Sequence, residues 1–157
     1  MELYDDKTTF TASVFALRED QMLPLHDHPN MYGLIKCIHG TLQIDSYTPE
    51  SESDDELLVS KCHSLVIDRY SKPVVLQPKT GNIHAISSVG GAAAFLDILA
   101  PPYGDSNKCH YYKIVASPSK ETFYLRQMSA PSWYWCETAL YTGPGVDHQT
   151  HKPACGQ

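Results

Sequence analysis

Several stretches of this chain alternate apolar and polar residues with a period of two: TFTASVFAL (9–17), MYGLIKCI (31–38), TLQIDSY (41–47), KPVVLQP (72–78) and HYYKIVAS (110–117). Successive side chains of an extended backbone point to opposite sides, so each stretch reads as a strand with one buried face. Their β-branched and aromatic residues suit that role. Between them lie short breakers, HPN, HG, KTGN, VGG and APPYGD, at the spacing of an all-β sandwich or barrel. No segment carries a sustained 3.6-residue apolar stripe, and the sequence has no internal repeat. The acidic stretch TPESESDDELLVS (48–60) falls between two strand patterns and reads as a solvated surface loop.

A chain of 157 residues suits a single domain, placed at 1–146, with a flexible tail over 147–157. With 42% hydrophobic and 19% charged residues it is too apolar for a disordered chain. A net charge of -6 and only three arginines (Arg18, Arg69, Arg126) argue against nucleic acid or an anionic membrane as partner and leave a neutral or cationic ligand. The start, MELYDDKTTF, lacks the basic and apolar regions of a secretory signal, which points to the cytoplasm, with the nucleus also accessible. Cys37, Cys62, Cys109, Cys136 and Cys155 are odd in number, scattered and without a CxxC pair, so they read as reduced thiols. His148 and His151 in the tail could bind metal only adventitiously.

In PLHDHPNMYG (24–33), His26 and His28 project to one side of an extended chain and Asp27 to the other. Such a pair can offer two nitrogens to one ion or can be surface polar residues, and by itself does not decide. PKTGNIHAI (78–86) repeats the arrangement of a turn followed by a histidine, His84, at the start of another strand.

HDHPNMYGLIKCIHG resembles the first signature motif of the cupin superfamily and PKTGNIHAI the second. The resemblance implies a jelly-roll-like small barrel, the double-stranded β-helix, holding a metal inside. Many cupins carry a glutamate soon after HxH, whereas PNMYGLIK has no carboxylate. Three neutral imidazoles leave a ferrous ion its full charge, which favours an anionic ligand such as a thiolate. PLHDHPNMYGLIKCIHGTLQI, AFLDILAPPYGD, CHYYKIV and WCETALYTGPG, in order over most of residues 4–146, look like the thiol dioxygenase family of animal cysteamine dioxygenase and the plant cysteine oxidases, with the animal enzyme the nearer likeness. That resemblance implies one Fe(II) per chain on His26, His28 and His84. It also implies O2-dependent oxidation of cysteamine or of N-terminal cysteine to sulfinic acid, a monomer, and a role in oxygen sensing through N-degron signalling. Two departures are visible: Asn30 stands where the animal relative has glycine, and GDSNK (104–108) is shorter.

Asp97 interrupts the apolar run AAAFLDILA, and a buried carboxylate is costly unless it is paired. It is either a structural cap or a pocket residue that binds the substrate ammonium or orients a ligand histidine. Tyr103, after a double proline, either donates a hydrogen bond to bound oxygen or substrate, or is an aromatic lid. Cys109 and Tyr111 share one face at a strand start with Cα atoms ~7 Å apart, while His110 points away and reads as structural. The family resemblance implies a thioether cross-link between Cys109 and Tyr111; otherwise they are a buried cysteine beside a core tyrosine. No arginine lies in a motif block, which argues for a substrate without a free α-carboxylate. Two competing readings are a three-histidine zinc cupin with hydrolase or lyase chemistry and a non-catalytic cupin binding module.

Overall fold

The structure is a computed structural model describing residues 1–53, 55–105 and 107–144. The expected flexibility of 147–157, and with it His148 and His151, lies outside the described residues. Within them the chain forms eleven strands and no helix, and every strand pairing is antiparallel.

One sheet has five strands, in the order β1 (Glu2–Asp5), β2 (Thr11–Leu17), β9 (Ala93–Ala100), β4 (Tyr32–His39) and β7 (Val74–Leu76). The other runs β10 (Tyr111–Ala116), β11 (Thr122–Met128), β6 (Leu57–Asp68), β5 (Thr41–Glu52), β8 (Ile83–Ser88) and β3 (Met22–His26), and it closes on itself. A single pair, Tyr111 opposite His26, joins its ends. Two sheets wound in this way form the double-stranded β-helix that the motifs imply.

The period-two patterns decide which faces are buried. Ile35 and Cys37 on β4 and Phe95 on β9 point between the sheets, where Phe15 of β2 stacks on Phe95 at 5.3 Å. Leu42, Ile44, Leu76 and Ile86 complete this main core. A second, smaller cluster of Leu25, Tyr47, Val59, Ile83 and Leu125 fills the curl of the closed sheet. Strand β8 separates the two, with Ile83 and Ala85 facing the second cluster and Ile86 the first. A residue on β8 is therefore shielded whichever way it points.

The acidic stretch 48–60 is not a loop. Its flanks continue β5 to Glu52 and begin β6 at Leu57, the two strands pairing as far as Glu52 opposite Leu57. Ser53 and Glu56 close the turn with a 2.9 Å backbone hydrogen bond. Tyr47, Leu57 and Val59 fill the second cluster while the carboxylates of Glu50, Glu52 and Asp55 face outward. Bulges at Ser46/Tyr47 and Pro49/Ser51 break the alternation, which hides the strand behind a run of charge.

Gly40 turns the chain from β4 into β5 with φ of 67°, and a Cβ there would lie 2.2 Å from the carbonyl oxygen of Ala92. Backbone strain and a clash with unyielding backbone act together. Gly40→Ala is expected to lose at least about 2 kcal/mol of unfolding free energy in urea titration; an unchanged midpoint would show that this turn relaxes freely.

Candidate metal centre

Strand β3 ends on His26, and its neighbour across the β3–β8 ladder is His84. His28 follows two residues later in the turn closed by the Met31 amide bonding to the His28 carbonyl at 3.1 Å. That turn bends through Asn30 at φ of 59°, in the left-handed region where glycine is easiest and asparagine is tolerated. The three imidazoles are buried, at 7%, 2% and 1% exposure for His26, His28 and His84. Their ring centroids lie 4.4–5.0 Å apart, and one potential ligand atom from each lies within 4.8 Å of the others.

Each ring has its Nδ1 already occupied. His26 Nδ1 donates to the Pro24 carbonyl at 2.8 Å, His84 Nδ1 to the Asn82 carbonyl at 3.1 Å, and His28 Nδ1 meets the Tyr103 hydroxyl. An Nδ1 that donates leaves Nε2 with a bare lone pair. His28 Nε2 is buried and has no hydrogen-bond partner, and such an orphan costs free energy unless something binds it. Burial depresses all three pKa values: His26 below its ordinary range, His84 to about 3 with a contribution from His26, and His28 further still with contributions from His84 and His26. The rings are neutral at pH 7, the form that coordinates a metal. A buried, neutral trio with converging nitrogens fits one metal ion.

The supports of this trio were not visible in the sequence. Asp27 does face away from the two histidines, as the alternation predicts, but it is no bystander. Its carboxylate accepts from the His110 amide at 2.7 Å, the Tyr112 hydroxyl at 2.8 Å and His110 Nδ1 at 3.1 Å. Its own amide donates to the His110 carbonyl at 3.1 Å. Asn82 accepts the His28 amide at 2.7 Å and donates to the carbonyls of Met31 at 3.2 Å and Gln77 at 3.1 Å. Asp27 and Asn82 thus fasten the turn to β10 on one side and to the β7–β8 connection on the other. A polar residue at an inward-tending position, two before His84 or between the two histidines, was the available signal.

Asp97 lies on the inward face of β9, opposite Ile35 and Ser13. One of its carboxylate oxygens is buried without a partner, and burial pushes its pKa up to about 7. Asp97 is near enough to Tyr103 to help hold that phenol above its ordinary range, after burial and the adjacent Cys109. The Tyr103 hydroxyl donates to the Asp27 carbonyl at 2.9 Å.

Cys109 sits in the loop before β10, two residues ahead of the strand start at which the pattern places it, with its thiol among the Tyr103 and Tyr111 hydroxyls. Burial, with Cys109 next in effect, pushes Tyr111 up to about 12. The Tyr111 ring lies 6.4 Å from that of His26 and 5.9 Å from that of Tyr134. The spacing argument therefore brings together the residues it named, and His110 turns to Asp27. Two of the arginines are engaged elsewhere, Arg126 on Glu56 at 2.6 Å and Arg69 over the Tyr70 ring at 4.7 Å.

A double-stranded β-helix with three buried histidines converging inside it defines a cupin with a site that fits one metal ion. The PCO_ADO family matches residues 1–146, and the chain belongs to that family. It is 34% identical to mouse 2-aminoethanethiol dioxygenase, over 93% of this chain and 70% of that one. The human protein of the same name is 33% identical over 87% of this chain and 64% of its own length. Plant cysteine oxidase 2 of Arabidopsis thaliana is 29% identical over 87% of this chain and 57% of its own. Among solved structures, KdgF from Halomonas aligns with a TM-score of 0.49 at 10% identity over 68% of this chain and 80% of that one. The cupin domain of Schizosaccharomyces pombe Cnp3 aligns at 0.47 and 14% over 64% and 58%.

A carboxyl with a folded pKa above its unfolded value binds a proton in the folded state that the unfolded chain has already lost, so stability falls as pH rises between the two values. For Asp97 that window runs from 3.8 to about 7. In the metal-free protein, Asp97→Asn should gain on the wild type by about 3 kcal/mol between pH 5 and pH 8, read by denaturant unfolding at each pH. A difference independent of pH would mean that Asp97 is ionised and paired.

Proposed function

We propose that this chain is a non-haem Fe(II)-dependent thiol dioxygenase that converts the thiol of cysteamine or of a peptide's N-terminal cysteine to a sulfinic acid, both atoms of O2 going to sulfur. The observation that carries this reading is a buried trio of neutral imidazoles, with no carboxylate in the cluster among the described residues, in a chain of the PCO_ADO family. Bound by His26, His28 and His84, Fe(II) would supply the redox chemistry that joins dioxygen to a coordinated thiolate.

The chain's own residues select and hold the substrate. Asp97 offers an otherwise unpartnered carboxylate oxygen in an apolar setting. An arriving ammonium favours its charged form and forms an ion pair shielded from water. That selects a thiol with a neighbouring amine, which cysteamine and an N-terminal cysteine share. The absence of a guanidinium at the motif blocks disfavours free cysteine, whose carboxylate would go ungripped. Cys109 and Tyr111 are the pair for a thioether, formed by loss of the thiol hydrogen and one ring hydrogen with O2 as the oxidant. A mass lower by two hydrogens on the peptide holding both residues is its signature.

Sulfinylation of a protein N-terminus under O2 limitation would make the enzyme an oxygen sensor.

His84→Ala is expected to abolish both iron retention and thiol-dependent O2 uptake, measured by metal analysis of anaerobically purified protein and by an oxygen electrode with cysteamine. Normal turnover in that variant would sink the assignment, and zinc with no O2 uptake in the wild type would favour the hydrolytic reading. Cysteamine and a peptide with N-terminal cysteine should both be oxidised with higher kcat/KM than free cysteine at limiting O2; a preference for free cysteine would overturn selection by the amine alone.

A further inference from the structure

The three histidines are not held alike. His26 and His84 are each fixed by a backbone carbonyl two residues upstream, that of Pro24 on β3 and that of Asn82 just before β8. These partners come with the fold and no single side-chain substitution removes them. His28 lies beyond the end of β3, and its Nδ1 is met by a side chain from a segment 75 residues away, the Tyr103 hydroxyl. That hydroxyl has one proton, and the Asp27 carbonyl oxygen takes it at 2.9 Å. With its own proton committed, the Tyr103 oxygen can only accept from His28, so Nδ1 carries the imidazole proton and Nε2 presents the lone pair. That nitrogen is the one left buried and unpartnered.

We propose that Tyr103 is a positioning residue that sets the tautomer and ring orientation of His28, so that a connection between β9 and β10 assembles the third arm of the metal centre. This rests on the metal-centre reading given above. The hydroxyl does not reach toward substrate as a donor, because the Asp27 carbonyl already holds its proton. Although 39% of the residue's surface is exposed, the polar tip points inward.

Asp27 extends the same device. Its carbonyl anchors the Tyr103 hydroxyl, while its carboxylate gathers the His110 amide, His110 Nδ1 and the Tyr112 hydroxyl. One residue of the HDH motif thereby secures the far end of the loop that carries Tyr103. The histidine trio, Tyr103, His110 and Tyr112 are one assembly, fastened on the side away from the ligand nitrogens.

Tyr103→Phe removes one oxygen and keeps the ring, so the test is direct. Zn2+ or Co2+ affinity, titrated without thiol and without O2, should fall about 10- to 100-fold, the usual effect of losing a hydrogen-bond partner of a ligand histidine. The visible spectrum of the Co2+-loaded protein should change, because one ligand is no longer held in place. Asp27→Asn, which retains the backbone carbonyl and hence the Tyr103 anchor, should weaken metal binding less than Tyr103→Phe. Should Tyr103→Phe bind metal and display the Co2+ spectrum as the wild type does, with only the KM for thiol raised, Tyr103 acts on substrate and the proposal is overturned. If the variant unfolds, the same titration on Tyr103→His, which restores a polar ring atom, decides: affinity above that of Tyr103→Leu supports the proposal, and equal affinity overturns it. A wild type that binds neither metal would remove the metal-centre reading itself, whereas metal bound without thiol oxidation would remove the dioxygenase reading and leave the role of Tyr103 standing.

Discussion

The register between β3 and β8 decides what this molecule can be. With His26 opposite His84, two imidazoles from segments 58 residues apart in the sequence meet side by side. A slip of one residue would turn His84 into the second core cluster and put Ile83 in its place, since alternate residues face opposite sides. The register is held because both faces of β8 are committed: Ile83 and Ala85 to one cluster, Ile86 to the other. Hydrophobic packing on two sides thus fixes the position of a polar pair that no hydrophobic force would bring together.

Burying three imidazoles is itself unfavourable, because the site excludes water and holds them neutral. The protein offsets this by supplying a hydrogen-bond acceptor for each Nδ1 and leaving Nε2 for a ligand. Asp27 and Asn82 brace the turn that carries His28, one through its carboxylate and the other through its amide. The cluster resembles a binding site built in advance, with His28 Nε2 left buried and unpartnered.

Much of this was legible in the sequence. The alternating stretches located β2, β4, β5, β7 and β10, and the two turn-histidine motifs named the trio. The same rule failed at 48–60, where outward carboxylates and two bulges masked a hairpin whose inward residues are Tyr47, Leu57 and Val59. Strand β9 reads as an apolar run because its outer face also carries Leu96 and Ile98, which leaves no alternation to detect. Asp27 could be assigned a direction but not its partners, since His110 and Tyr112 are brought to it only by the β3–β10 contact. Tyr103 likewise could be placed near the site without revealing that its hydroxyl is bound to His28.

The closed sheet is joined at one place, by the pairing of Tyr111 with His26. The seam of the barrel therefore runs through a ligand residue. Any ion that binds His26 together with His84 bridges β3 to its neighbour β8 beside that seam, and a species that binds only the folded form stabilises it by mass action. Filling the centre is then a fastening of the barrel as well as a preparation for chemistry.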